Sequence, residues 1–93
     1  MSETNEAVVI NQRTDKVWTD YLATAYAEGF CEGAGGTPEE VMEAWAYLIN
    51  TKLAFKLQGR FGRRATVFIE MGLISPDGVI DWDEFDIKTK GLE

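Results

Sequence analysis

The sequence predicts a mainly α protein, a small single-domain helical bundle of about four helices with a short β-hairpin near 73–81. Three observations carry that expectation. Apolar residues recur at helical spacing in two long windows, a compact helix-start signal stands at Thr37-Pro38-Glu39-Glu40, and Pro76-Asp77-Gly78 separates two apolar pairs. All 93 residues form one domain on this reading. Residues 1–11 are expected to be a polar tail, flexible or pairing as an edge strand through Ala7, Val8, Val9 and Ile10.

The first helix is expected over 14–32. Val17, Trp18, Tyr21, Leu22, Ala25, Tyr26 and Phe30 follow one another at spacings of one, three and four residues, which makes a broad apolar stripe on one helix. Gly29, Gly33, Gly35 and Gly36 then lower the helix propensity and end it. A second helix, 38–51, starts where the Thr37 hydroxyl can cap, Pro38 suits the first helical position, and Glu40 completes a capping box. Its stripe is Val41, Met42, Trp45, Leu48 and Ile49. Short helices over 53–58 and 63–71 follow, separated by a structural turn at Gly59 and Gly62, at least one of which should need a positive φ. Gly72 is placed to stop the last helix in a left-handed conformation, and the Pro-Asp-Gly turn closes the hairpin. From Asp81 the chain is acidic, with Trp82 and Phe85 embedded.

Composition narrows the function. Nine basic residues against 16 acidic ones leave a net charge of -7. A chain this short buries only about 60 to 65% of its unfolded surface, so it needs a well-filled core. Three Trp, three Tyr and five Phe supply it. The longest apolar run, Ala44 to Ile49, is far short of the roughly 20 residues of a membrane span. Met1 to Glu6 has neither the basic nor the apolar region of a secretion signal, so a cytoplasmic protein is expected. Cys31, the single cysteine, reads as a buried, inert thiol in a reducing compartment. The absence of His removes Ser-His and Cys-His nucleophiles and His-containing zinc sites. No catalytic residue, metal or cofactor is therefore expected, and binding is the remaining class. Asp77 to Phe85 has the order of half an EF-hand loop, but its alignment puts Leu73 at the first ligand position, and leucine cannot coordinate calcium.

The stretch Glu43 to Ile74 contains Leu53-Ala54-Phe55-Lys56-Leu57-Gln58-Gly59-Arg60-Phe61-Gly62-Arg63-Arg64-Ala65 and closes on Gly72-Leu73-Ile74. It resembles a family of very short bacteriophage proteins of unassigned function. In those a helix ends in a Leu-Ile-(Asp/Asn)-Thr-Gly turn, followed by Leu-Ala-Trp-x-Leu-Gln-Gly-x-Tyr-Gly-Arg-x-Ala. Here Lys52 stands where the family usually has Gly, Phe55 replaces Trp and Phe61 replaces Tyr. The resemblance implies a phage or prophage origin and a small helical module, and it carries over no catalytic or ligand residue.

Charge is distributed unevenly. Residues 44–72 carry +4 and the remainder -11. Lys52, Lys56 and Arg60, spaced by four, would form a basic ridge if one helix ran through them, and with Arg63 and Arg64 they are the candidate basic binding surface. The candidate acidic-aromatic contact is Asp81, Trp82, Asp83, Glu84, Phe85 and Asp86; with Glu39, Glu40, Glu43 and Asp77 it could present charge and aromatic anchors to a basic groove. The expectation is a non-catalytic, phage-encoded accessory protein that binds and modulates or inhibits another protein, such as a host or phage factor that handles nucleic acid or serves in defence. One rival is a winged helix-turn-helix nucleic-acid binder with Arg63, Arg64 and Thr66 opening the recognition helix. Another is a structural subunit of a phage particle. Generic duplex DNA is not an expected partner of so acidic a chain, no membrane is implied, and a homo-oligomer is left open.

Overall fold

A computed structural model describes residues 9, 11–29, 35–57 and 59–90. Among them are four α-helices: α1 (Asp20–Glu28), α2 (Pro38–Asn50), α3 (Gly59–Glu70) and α4 (Trp82–Lys90). The mainly helical expectation holds, although the helices are not quite the expected set. Most of the proposed tail, and Phe30, Cys31, Glu32 and Gly33 with it, lie outside the described residues.

Helix α2 is the centre. The capping box forms as its sequence requires: the Glu40 amide donates to the Thr37 hydroxyl (3.2 Å) and the Thr37 amide to the Glu40 carboxylate (3.0 Å). Every residue from Met42 to Ile49 is buried, Ala44, Ala46, Leu48 and Ile49 completely. A helix that is apolar nearly all round must be covered on every side, and the rest of the chain wraps it. Trp45 meets Phe61 and Phe68 of α3 at ring-centroid distances of 5.8 and 5.5 Å. On the α1 side, the Tyr47 hydroxyl donates to Asp20 (2.7 Å).

Helix α1 is shorter than the 14–32 expected. Thr19 is its N-cap, accepting from the Leu22 amide at 3.1 Å, and Gly29 ends it at φ 77°. Residues 14–19 are not helical because their backbone groups are engaged elsewhere. The Arg13 and Thr14 amides donate to the Glu43 carboxylate, and the Gln12 side chain donates to the Thr14 and Lys16 carbonyls. Trp18 and Tyr26 are buried and in edge-to-face contact at 5.2 Å, whereas Val17 (81% exposed) and Tyr21 (56%) face outward. The extended segment therefore breaks the proposed stripe.

After α2 the chain turns through Lys52, the one described non-glycine residue with positive φ (67°), into a 3-10 turn at Leu53–Phe55. The expected helix over 53–58 is only this turn, and the helix expected from 63 begins at Gly59. Gly59 and Gly62 are consequently not turn residues: both sit in the first part of α3, neither with positive φ. At Gly62 a Cβ would lie at ordinary contact distance, 3.7 Å from Phe55 and 3.8 Å from the Ala54 carbonyl, so the position has room for a side chain. Gly72 (φ 78°) stops α3 as expected, with the Leu73 amide donating to the Phe68 carbonyl (3.1 Å) and the Gly72 amide to that of Ile69 (3.1 Å).

The hairpin near 73–81 is reduced to a single antiparallel bridge between Ile74 and Ile80. Its turn is closed by the Gly78 amide to the Ser75 carbonyl (2.8 Å), and the Ser75 hydroxyl accepts from the Asp77 and Val79 amides. Gly78 has φ 88° and presses on α2, where an added Cβ would lie 2.7 Å from Asn50 Cβ and 2.8 Å from the Ala46 carbonyl oxygen. The acidic end is not a tail. Asp81 caps α4 by accepting from the Glu84 amide (3.0 Å), and Phe85 is buried in the core.

Candidate functional site

The five candidate basic residues are all exposed, but they do not form one ridge. The left-handed Lys52 and the 3-10 turn separate Lys52 and Lys56 from the helix that carries Arg60, Arg63 and Arg64. Arg60 bridges to Glu28 at 2.6 Å, fastening the start of α3 to the end of α1. Lys52, Lys56, Arg63 and Arg64 make no ion pair with a described residue, whereas Arg13, Lys16 and Lys88 pair with Asp86, Glu40 and Glu84. Among the described side chains, the cations without an ion pair to another described residue thus lie between Lys52 and Arg64. Arg60 stands in the first turn of α3, near the positive end of the helix dipole, where a cation is disfavoured by a few tenths to about 1 kcal/mol.

Helix α3 presents two flanks beside its core-facing residues, which at 3.6 residues per turn are Phe61, Ala65 and Phe68, with half-buried Ile69 packed at the edge of the core. One flank carries Arg60, Arg64, Val67 and Met71, cations at one end and apolar groups at the other; Val67 and Met71 are 45% and 43% exposed. The second carries Gly62, Arg63, Thr66, Ile69 and Glu70, with Phe55 lying against Gly62. Beneath the first flank a small cleft of about 250 Å³ is lined by Ala27, Glu28, Trp45, Arg60, Phe61 and Arg64.

The acidic-aromatic segment is used largely inside the fold. The Trp82 indole donates to the Asn11 carbonyl (2.7 Å) and stacks edge-to-face on Phe85 at 5.2 Å. The Arg13 guanidinium lies 4.3 Å from the Trp82 ring centroid and pairs with both oxygens of Asp86 at 3.2 and 3.1 Å. The hydrogen bond to Asp86, with that carboxylate's charge, raises the Arg13 pKa. Glu84 pairs with Lys88 at 2.6 Å. Asp81 and Asp83 are left facing solvent. They border an open groove of about 620 Å³ whose walls include Ile69, Ile74, Val79 and Trp82.

Glu43 is not available to a partner either. It is fully buried, accepting from the Arg13 and Thr14 amides (2.7 and 2.8 Å), the Thr14 hydroxyl (2.5 Å) and the Trp18 indole (3.1 Å). Its role is to hold the extended segment on α2. Sequence reasoning took it for a surface charge, although it is the one carboxylate or cation between Val41 and Ile49, and that isolation is the signal that could have identified it.

Among the described residues no three His, Cys, Asp or Glu side chains converge as metal ligands do, and no helix is long and apolar enough to cross a membrane. The segment 73–81, which the winged-helix rival would use as its wing, is packed on α2 through Gly78. No curated protein and no solved structure matches the chain. Residues 32–88, from just before α2 into α4, match the family described as Domain of unknown function (DUF7417), and the chain belongs to that family.

Proposed function

We propose that the chain is a non-catalytic, phage-encoded accessory protein, working in the host cytoplasm, that binds another protein and modulates it. The docking surface on this reading is the flank of α3 formed by Arg60, Arg64, Val67 and Met71. The observation that carries it is Arg64, exposed and in no ion pair with a described residue, standing on one flank of α3 with Arg60 and the exposed apolar side chains of Val67 and Met71 in a chain of net charge -7. Single-sign charge steers an oppositely charged partner, and desolvated apolar groups supply the affinity. The partner is therefore a host or phage protein with an acidic patch beside an apolar one. The acidic-aromatic segment is not the contact, because Trp82, Phe85 and Asp86 are engaged with the chain's own residues.

The test is comparative capture. Tagged wild-type protein and an Arg64→Glu/Met71→Ser variant, matched by circular dichroism, are incubated with lysate of infected and uninfected host cells, and a partner identified by mass spectrometry is titrated against each by calorimetry. Binding at least about tenfold weaker for the variant, and weaker with added salt, supports the reading. A partner bound equally by both proteins overturns it. Micromolar binding of generic duplex DNA at about 0.15 M salt, lost in the variant, promotes the winged-helix rival instead.

A further inference from the structure

The second flank of α3 carries a pattern that the first does not use. Gly62, Arg63, Thr66, Ile69 and Glu70 fall within about 120° of the helix circumference, and Thr66 is at the middle of the set. On one side of Thr66 stands Arg63 with Phe55, which lies beside Gly62 and is 48% exposed. On the other side stand Glu70 and Ile69, and Ile69 opens onto the groove walled by Ile74, Val79 and Trp82 and rimmed by Asp81 and Asp83. Along the axis, at 1.5 Å per residue, Arg63 lies about 4.5 Å and Glu70 about 6 Å from Thr66. A cation and an aromatic knob on one side are thus matched by an acid and an apolar hole on the other, at similar distances.

A surface complementary to itself about a point is what an isologous two-fold contact requires. We propose that two copies of this chain pair through this flank, their α3 helices antiparallel and crossing at Thr66, with Phe55 of each copy entering the groove of the other and Arg63 of each facing Glu70 of the other. The short side chain of Thr66 lets the helices approach at the crossing. Lys52 and Lys56, which flank the 3-10 turn carrying Phe55, come toward Asp81 and Asp83 of the second copy. At physiological salt the Debye length is about 8 Å, so the repulsion of two chains of net charge -7 is largely screened while contact pairs are not.

The opposite flank, where the partner protein is placed, stays open in this dimer, so the two proposals fail separately. The experiment is sedimentation equilibrium of the full chain from about 1 µM to about 1 mM. Wild type should move with concentration from 10.4 kDa to twice that mass. Arg63→Glu, which sets two acids against each other across the contact, should raise the dimer dissociation constant at least about tenfold, as should Glu70→Arg. The double variant Arg63→Glu/Glu70→Arg should restore dimerisation, and circular dichroism checks that each folds. A monomer at every concentration overturns the proposal and leaves the groove to a foreign segment. So does a dimer indifferent to Arg63→Glu, or one that the double variant fails to restore.

Discussion

Replacing Glu43 by Gln keeps the shape of the side chain and removes the charge that the extended segment is built around. The carboxylate accepts from two amides, a hydroxyl and an indole without exposure to water. Glutamine offers one acceptor oxygen and a donor amide group. If that oxygen stays with the Arg13 and Thr14 amides, the Thr14 hydroxyl can rotate to accept, but the Trp18 N–H is stranded against another donor. An unpaired buried donor costs about 1 to 3 kcal/mol, and a hydrogen bond to a neutral acceptor is weaker than one to a charge by roughly 1 kcal/mol. Even in the better orientation the loss is therefore about 2 to 4 kcal/mol, a large share of the roughly 5 to 10 kcal/mol available to a chain of this size. Urea unfolding followed by far-ultraviolet circular dichroism measures the global change, and Trp18 fluorescence reports whether residues 11–19 detach first. A Glu43→Gln protein within about 0.5 kcal/mol of wild type, with unchanged fluorescence, would refute the assignment of Glu43 as the anchor of that segment.

Other substitutions probe the backbone. Gly78→Ala combines a left-handed residue, costing about 1 to 2 kcal/mol, with overpacking against α2, costing about 1 to 3 kcal/mol, so the melting temperature should fall by at least about 10 °C. Gly62→Ala should instead stabilise by about 0.5 to 1 kcal/mol, because the position is helical and the nearest atoms are at ordinary contact distance; destabilisation in urea would return it to a turn. Lys52→Gly relieves the positive φ and should leave stability unchanged or raise it by up to about 1 kcal/mol, as judged by thermal unfolding. The backbone hydrogen bond from Thr37 lowers the Glu40 pKa, with Lys16 assisting against the opposing effect of burial. Its stabilising contribution is accordingly complete above the unfolded value of about 4.3 and is lost as pH falls through the lower folded value. The stability difference between wild type and Glu40→Gln should shrink over that acid range, and a difference constant with pH would contradict the linkage.

Local signals were legible and distant ones were not. The start of α2 could be read because Thr37, Pro38 and Glu40 settle it among themselves, and the ends at Gly29 and Gly72 could be read because each glycine acts on its own turn. The start of α1 could not, because it is decided by Glu43, some thirty positions away from the amides it takes. Gly59 and Gly62 look like punctuation in sequence, yet Phe61, Ala65 and Phe68 bury together only if one helix runs beneath them. Helix α4 had its signal in Asp81 and Glu84, a cap and the residue three positions on, which the acidic character of the segment obscured. The basic surface was legible as composition. Its division into two flanks depends on where the helix begins, and the inward use of Trp82 and Asp86 depends on Asn11 and Arg13 at the other end of the chain.

That last contact orders events during synthesis. Asn11 holds both backbone groups of Ile80 and the indole of Trp82, and Arg13 holds Asp86, so the sequence separations run from 69 to 73 residues. The Glu43 contacts close over only 29 and 30. At about 5 to 20 residues per second, roughly 3 to 14 seconds separate emergence of Asn11 from emergence of its last partners. In the interval the segment can be tethered to α2 by Glu43 but not fastened at its far end. Ribosome-bound chains stopped before residue 80 should then be cut by protease near Asn11 while α2 is protected, and release of the finished chain should abolish the cut.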